Sequence, residues 1–195
     1  MKRAKITLIL YIILVLAMIV LSIKLSNNSW VLLILLVLMM GGFTFNRMES
    51  FKIAEKVSYY FENKDYDKLI EILKASSEES IVYMNCLSSL ASLTMIYMLN
   101  NNVEEAKALI NKYNFLKNHR GTCYINLILA IDDENLELAK EYNSRLQSYR
   151  SGRYLAQKEA ANILIELVET GKYDEKIEEL TQYQLVKDIC KKYKK

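Results

Sequence analysis

The sequence predicts an all-α protein: a two-helix transmembrane hairpin followed by an α-solenoid of about four helix-turn-helix repeats. Three observations carry that expectation. The 195 residues include no proline and only five glycines, so the turn formers of β-hairpins and Gly-rich loops are scarce, whereas helix formers such as Leu, Lys, Glu and Ala are plentiful. Two long apolar runs lie near the N-terminus. Four similar polar-then-amphipathic segments recur in the remainder.

The first apolar run, Ile6 to Ile23, is 18 residues without a charge, bracketed by Lys5 and Lys24. At about 1.5 Å per residue it would extend roughly 27 Å, close to the hydrocarbon thickness of a bilayer. It exceeds the apolar region of a signal peptide, about 7 to 15 residues, and no small-x-small cleavage site follows it. The second run, Trp30 to Phe45, has 16 residues and is short for a span on its own. The six residues from Lys24 to Ser29 leave room only for a tight turn, so residues 1–45 are expected to form a hairpin with helices 6–23 and 30–45 and a turn at 24–29.

Lys2, Arg3 and Lys5 precede the first run, and Arg47, Lys52 and Lys56 follow the second. The positive-inside bias therefore predicts a multi-pass protein of the cell membrane with both termini cytoplasmic. The polar side chains of the runs, Thr7, Tyr11, Ser22 and Thr44, include no group that is ionised near neutral pH. A hairpin without buried charge is expected to anchor rather than to transport or catalyse. Gly41 and Gly42 leave the alternative that it docks on a partner's helices by shape.

Residues 46–195 are expected to form a cytoplasmic helical-repeat domain. After Phe45 the chain has 22 basic and 23 acidic residues, so the sequence pI of 8.6 reflects the N-terminal flank. A nearly neutral domain gives no electrostatic reason to expect a nucleic-acid partner.

The repeat is read from four segments that begin near Glu62, Leu99, Ile131 and Glu169. In each, a polar turn leads to an apolar residue and then to an acid-rich amphipathic helix. Aligning Tyr66, Val103, Leu136 and Tyr173 gives intervals of 37, 33 and 37 residues, near the 34 of a helix-turn-helix repeat. A second apolar stripe precedes each segment, as in Leu87, Leu90, Leu93 and Tyr97. Eight helices in four pairs follow, and pairs that cannot bury an apolar face alone are expected to stack on a shared core. The final LVKDICKKYKK is expected to cap the last pair through Leu185, Val186 and Ile189, leaving its lysines as a solvated helix end or as a contact to an anionic lipid surface.

In its second unit the chain resembles the tetratricopeptide-repeat family. Leu93 and Tyr97 in the first helix, and Ala106 and Ile110 in the second, stand at the spacing of that family's packing positions, and Ala139 repeats the small position in the third unit. The family's early Trp, its first-helix Gly and its closing Pro are absent, and the fourth unit has Lys176 and Ile177 where a small residue is expected. The resemblance extends over roughly residues 50 to 184. It implies a curved stack that binds proteins or peptides in its concave face, with groove residues left unassigned.

Little in the sequence suggests catalysis. Cys86, Cys123 and Cys190 form no Cys-x-x-Cys pair, so buried packing is expected for them. His119 lies four residues before Cys123, but a nucleophile and base also need an orienting group and an oxyanion site. Asp132, Asp133 and Glu134 read as a turn and helix N-terminal cluster rather than a metal site. No phosphate loop, zinc spacing or nucleophile elbow is present, so neither an enzyme nor a cofactor or metal is expected.

The expected function is a membrane-anchored protein-protein interaction module or scaffold, with a protein or peptide partner, membrane contact through residues 6–45, and no nucleic acid. The alternatives are an immunity protein against a membrane-active toxin or bacteriocin, and an accessory subunit of a membrane transport or secretion complex.

Overall fold

The computed structural model describes residues 9–17, 19–20, 29–80 and 83–194. The structure is 84% helix, with no strand among the described residues, so the all-α expectation holds. The helices are α1 (residues 9–17 and 19–20), α2 (Ser29–Glu62), α3 (Tyr66–Glu79), α4 (Tyr83–Leu99), α5 (Val103–Lys112), α6 (Phe115–Asn118), α7 (Cys123–Asp132), α8 (Leu136–Gln147), α9 (Leu155–Thr170), α10 (Lys176–Leu180) and α11 (Gln184–Tyr193). Short 3₁₀ turns at Arg120–Thr122 and Gly152–Tyr154 lead into α7 and α9.

The membrane expectation is corrected. Among the described residues no helix is long and apolar enough to cross a membrane, which overturns the multi-pass localisation with cytoplasmic termini, and no transmembrane hairpin is found. Physically, the second apolar run is about four residues short of the roughly 20 that a span requires. No proline or cap separates it from the polar residues that follow, so α2 continues through Asn46, Arg47 and Glu49 to Glu62 as one helix. Part of the first run and the 24–28 portion of the expected turn lie outside the described residues.

The chain divides into two compact units, Met1–Leu90 and Ala91–Lys195. In the first unit α3 packs on α2. Asp65 starts α3 by accepting the Lys68 amide at 3.1 Å. The apolar stripe it sets up buries Leu69 and Leu73, while Lys68, Glu71 and Glu79 face solvent, the pattern of a half-buried helix. Two hydroxyl bonds tie the start of α4 to its neighbours: Ser50 Oγ donates to Asn85 Oδ1 at 2.8 Å, and the Ser76 and Ser89 hydroxyls meet at 2.7 Å.

The second unit is built around α7, which packs against α8, α9 and α11. All nine residues from Cys123 to Ile131 are buried. A helix that is apolar on every face can be stable in water only when surrounded. Its one polar member, Asn126, meets this requirement by donating through Nδ2 to the Leu116 carbonyl at 3.0 Å. The buried Thr122 hydroxyl bonds the same carbonyl and that of His119 at 3.1 Å. The short α6 is therefore held by two side chains at the start of α7, because four residues cannot satisfy their own carbonyls.

The fourth expected pair is altered. Gly171, in the left-handed region at φ 75, closes α9 by donating its amide to Leu167 O at 2.8 Å. Asp174 Oδ1 then accepts from the Lys176 amide at 2.9 Å. The next helix therefore begins at Lys176 rather than Tyr173, and it ends after five residues at an extended Thr181. The expected cap is present as α11, with Val186 and Ile189 buried and Leu185 half-buried.

Candidate interaction site

The interaction reading rests on how the helix pairs turn. Three turns share one hydrogen-bond pattern. The amides of Asp65, Asn102 and Asn135 reach back to the carbonyls of Tyr60, Tyr97 and Ala130 at 3.0, 2.8 and 2.8 Å. The amides of Leu69, Ala106 and Ala139 then bond the carbonyls of Asp65, Asn102 and Asn135. Between these bonds Lys64, Asn101 and Glu134 adopt φ of 55, 58 and 58. Gly171 holds the corresponding place in the fourth turn, so the left-handed residues recur at the same intervals of 37, 33 and 37 as the residues aligned in sequence. Glycine adopts this conformation freely and asparagine with little strain, whereas a lysine or glutamate there costs about 1 to 2 kcal/mol. Lys64 and Glu134 hold it because the 6→1 closing bond leaves the chain no other path into the next helix.

The structure buries all five sequence-assigned packing residues. Leu93 and Tyr97 lie on the buried face of α4, Ala106 and Ile110 on that of α5, and Ala139 on α8. Ala106 and Ala139 are completely inaccessible, and Leu69 fills the aligned place in the first pair. Alongside Ile110, a recess of about 320 Å³ opens between α5, α7 and α8, lined by Asn111, Asn126, Leu129, Leu138 and Tyr142 among others. Leu138 is one of the exposed large apolar residues of this unit.

A lysine clamp that sequence reading missed closes one side of this recess. Lys107 Nζ reaches Asp132 Oδ2 at 2.8 Å and Asp133 Oδ1 at 2.7 Å, joining α5 to the turn after α7. The intervals place Lys107 one residue past Ala106, but only the fold brings it to the acids 25 and 26 positions later. Burial works against the charged ammonium, and the hydrogen bonds to Asp132 and Asp133 outweigh it, so the group is held above its ordinary 10.5. Because the folded value is raised, the stabilisation is complete below pH 10.5 and is lost as the pH climbs beyond it. Lys107→Met is expected to lower stability by about 1 to 3 kcal/mol at neutral pH. The gap between the denaturation midpoints of variant and wild type should begin to narrow as the pH rises past 10.5, and a constant gap there would show that the clamp does not titrate.

The cysteines and the histidine are committed elsewhere. Cys123 Sγ donates to the Tyr142 carbonyl at 3.4 Å, and burial pushes its thiol up despite nearby Tyr149 and Arg145. His119 Nδ1 accepts the Gly121 amide at 3.2 Å, a cap for the 3₁₀ turn, and burial lowers its basicity. Cys86 and Cys190 are free and buried. Glu134, read in sequence as part of a turn cluster, receives Lys192 from α11 at 2.6 Å, and Lys194 sits 4.0 Å over the Tyr173 ring. Part of the C-terminal lysine cluster therefore closes back on its own unit. Among the described residues no group of three or more His, Cys, Asp or Glu is placed to hold a metal ion.

Compared with known proteins, the chain matches no family model, no curated protein and no solved structure.

Proposed function

We propose that this protein is a helical-repeat interaction module of tetratricopeptide-like design, whose stacked helix pairs present a recess to a protein or peptide partner. The observation that carries the reading is the recurrence of one left-handed turn at Lys64, Asn101 and Glu134, with a left-handed Gly171 at the next interval. A turn that repeats with the sequence period sets a like entry into the second helix of the first three pairs, the local feature that a helical-repeat design requires. The small residues at Ala106 and Ala139 allow the second helix of a pair to approach closely. The recess beside Ile110, with an exposed Leu138 at its edge, then supplies an apolar contact with amide groups near it, the composition of a site that anchors a partner side chain.

The test is quantitative co-purification with the full-length tagged chain. One protein should be enriched at a near-stoichiometric ratio and should be lost when Leu138→Asp places a charge at the edge of the recess. A bait that enriches no protein above an untagged control overturns the reading.

A further inference from the structure

Charge in the second unit is segregated. Residues 113–122 and 142–158 carry Lys117, Arg120, Arg145, Arg150, Arg153 and Lys158 and no acid. The fold joins these two segments at one end of α7, α8 and α9. Arg145 Nη1 donates to the Lys117 carbonyl at 3.1 Å and to Asn118 Oδ1 at 2.7 Å. The Arg120 guanidinium lies 5.5 Å over the Tyr149 ring, and Lys158 Nζ donates to the carbonyls of Gln147 and Tyr149 at 2.9 and 2.6 Å. Arg145 pairs with Glu141 at 3.0 Å. Among the described residues, the other five cations have no carboxylate within 4.0 Å.

At the opposite ends of the same helices the acids are already engaged. Asp132 and Asp133 hold Lys107, Glu134 holds Lys192, Glu169 holds Lys140 and Glu166 holds Lys172. A second copy of the chain could not offer these carboxylates to the basic end without breaking the ion pairs that hold them.

We infer that the basic end formed by Arg120, Arg150 and Arg153 with Lys117 and Lys158 docks a short acidic segment of a partner protein. This rests on the interaction reading above and names the chemistry of the partner. Two observations favour a peptide over nucleic acid. The aromatic rings here are already paired with one another or with a cation: Tyr149 lies 5.5 Å from Tyr154 and carries Arg120, and Phe115 lies between Tyr113 and His119 at 6.4 and 6.2 Å. Bases stacking on these rings would have to compete with those contacts. At the other end of the unit the lysines are already paired with acids, so a long polyanion running beyond the patch would find no free cation, whereas a segment of a few residues fits within it. Guanidinium groups suit carboxylates because their planar fork bonds both oxygens at once.

The test uses the full-length chain and a fluorescent oligoglutamate of about twelve residues, read by anisotropy at low and high salt. Wild type should bind with an affinity that falls as salt rises. Arg150→Glu with Arg153→Glu should weaken binding by about tenfold or more, the paired change to lysine should restore it to within about threefold, and Lys172→Glu at the opposite end should leave it unchanged. Far-ultraviolet spectra establish that the variants fold, and Arg150→Gln with Arg153→Gln replaces the reversal if it does not. Equal binding by wild type and the folded double variant overturns the inference. So does tighter, Arg150- and Arg153-dependent binding of a single-stranded RNA of equal charge. A partner that co-purifies with wild type and the double variant alike would remove this surface and leave the interaction reading standing. Failure of any protein to co-purify would remove the reading itself.

Discussion

Leucine at position 106 or 139 is expected to destabilise the protein by about 1 to 3 kcal/mol, a large fraction of the stability of a domain this size. Both alanines are completely buried, and each donates its amide to the residue that caps its own helix. Leucine is nearly as good a helix former as alanine, so the backbone has no reason to object. The cost comes from three extra carbons forced into space that a neighbouring helix already fills. Ala75 is the comparison, because it lies on an exposed face near the end of α3 and off the aligned position. Denaturation midpoints of Ala106→Leu, Ala139→Leu and Ala75→Leu in the full-length chain should separate the first two from the third. Equal shifts in all three would mean that the aligned alanines do not mark close helix approach.

A larger loss is expected from Leu127→Ala. Leu127 is inaccessible to solvent in the middle of α7, where Cys123 to Ile131 are buried without a gap. Truncation removes the transfer free energy of the side chain and leaves a cavity that α8, α9 and α11 cannot all move to fill, for a total of about 2 to 5 kcal/mol. Leu155→Ala provides the contrast, since Leu155 is 66% exposed and its truncation should change stability by less than about 0.5 kcal/mol. Urea midpoints measured side by side decide the matter. A Leu127→Ala variant as stable as Leu155→Ala would show that α7 is not the centre of its unit.

Much of the local structure was legible in the sequence because it depends on local signals. The polar turns before Tyr66, Val103 and Leu136 contain the capping residues Asp65, Asn102 and Asn135, and each starts a helix where the alignment placed it. The end of the first helix in each pair was equally readable from its apolar stripe. The fourth turn misled, because the helix does not begin at the aligned Tyr173: Asp174 Oδ1 takes the Lys176 amide, the N-cap position falls on Glu175, and α10 is shortened to Lys176–Leu180.

What could not be read was set by contacts distant in sequence. An apolar stripe before each aligned segment suggested a one-sided helix there. The signal for a fully enclosed one was there in CYINLILAI, where Asn126 is the single amide among apolar residues and the Cys. Lys64 and Glu134 carry no sign of a left-handed backbone, since that conformation is imposed on them by the bonds on either side. The Lys107 clamp and the convergence of Arg120 with Tyr149 join residues more than twenty positions apart. Net charge concealed the basic end as well, because an average over the whole domain cancels the two poles that the helices separate. For the apolar N-terminal runs, length and flanking charge suggested spans, and the continuity of α2 through the boundary at Phe45 was invisible without the backbone.

The repeat register is the claim on which the functional reading stands, and the backbone angle at four residues tests it most directly. Three-bond HN–Hα couplings and backbone chemical shifts of the full-length chain should place Lys64, Asn101, Glu134 and Gly171 in the left-handed region, at φ of 55, 58, 58 and 75. The amides of Asp65, Asn102 and Asn135 should be protected from exchange by their bonds to Tyr60, Tyr97 and Ala130. Right-handed or extended angles at Lys64, Asn101 or Glu134, with rapid exchange at the following amide, would contradict the common turn and the proposal built on it.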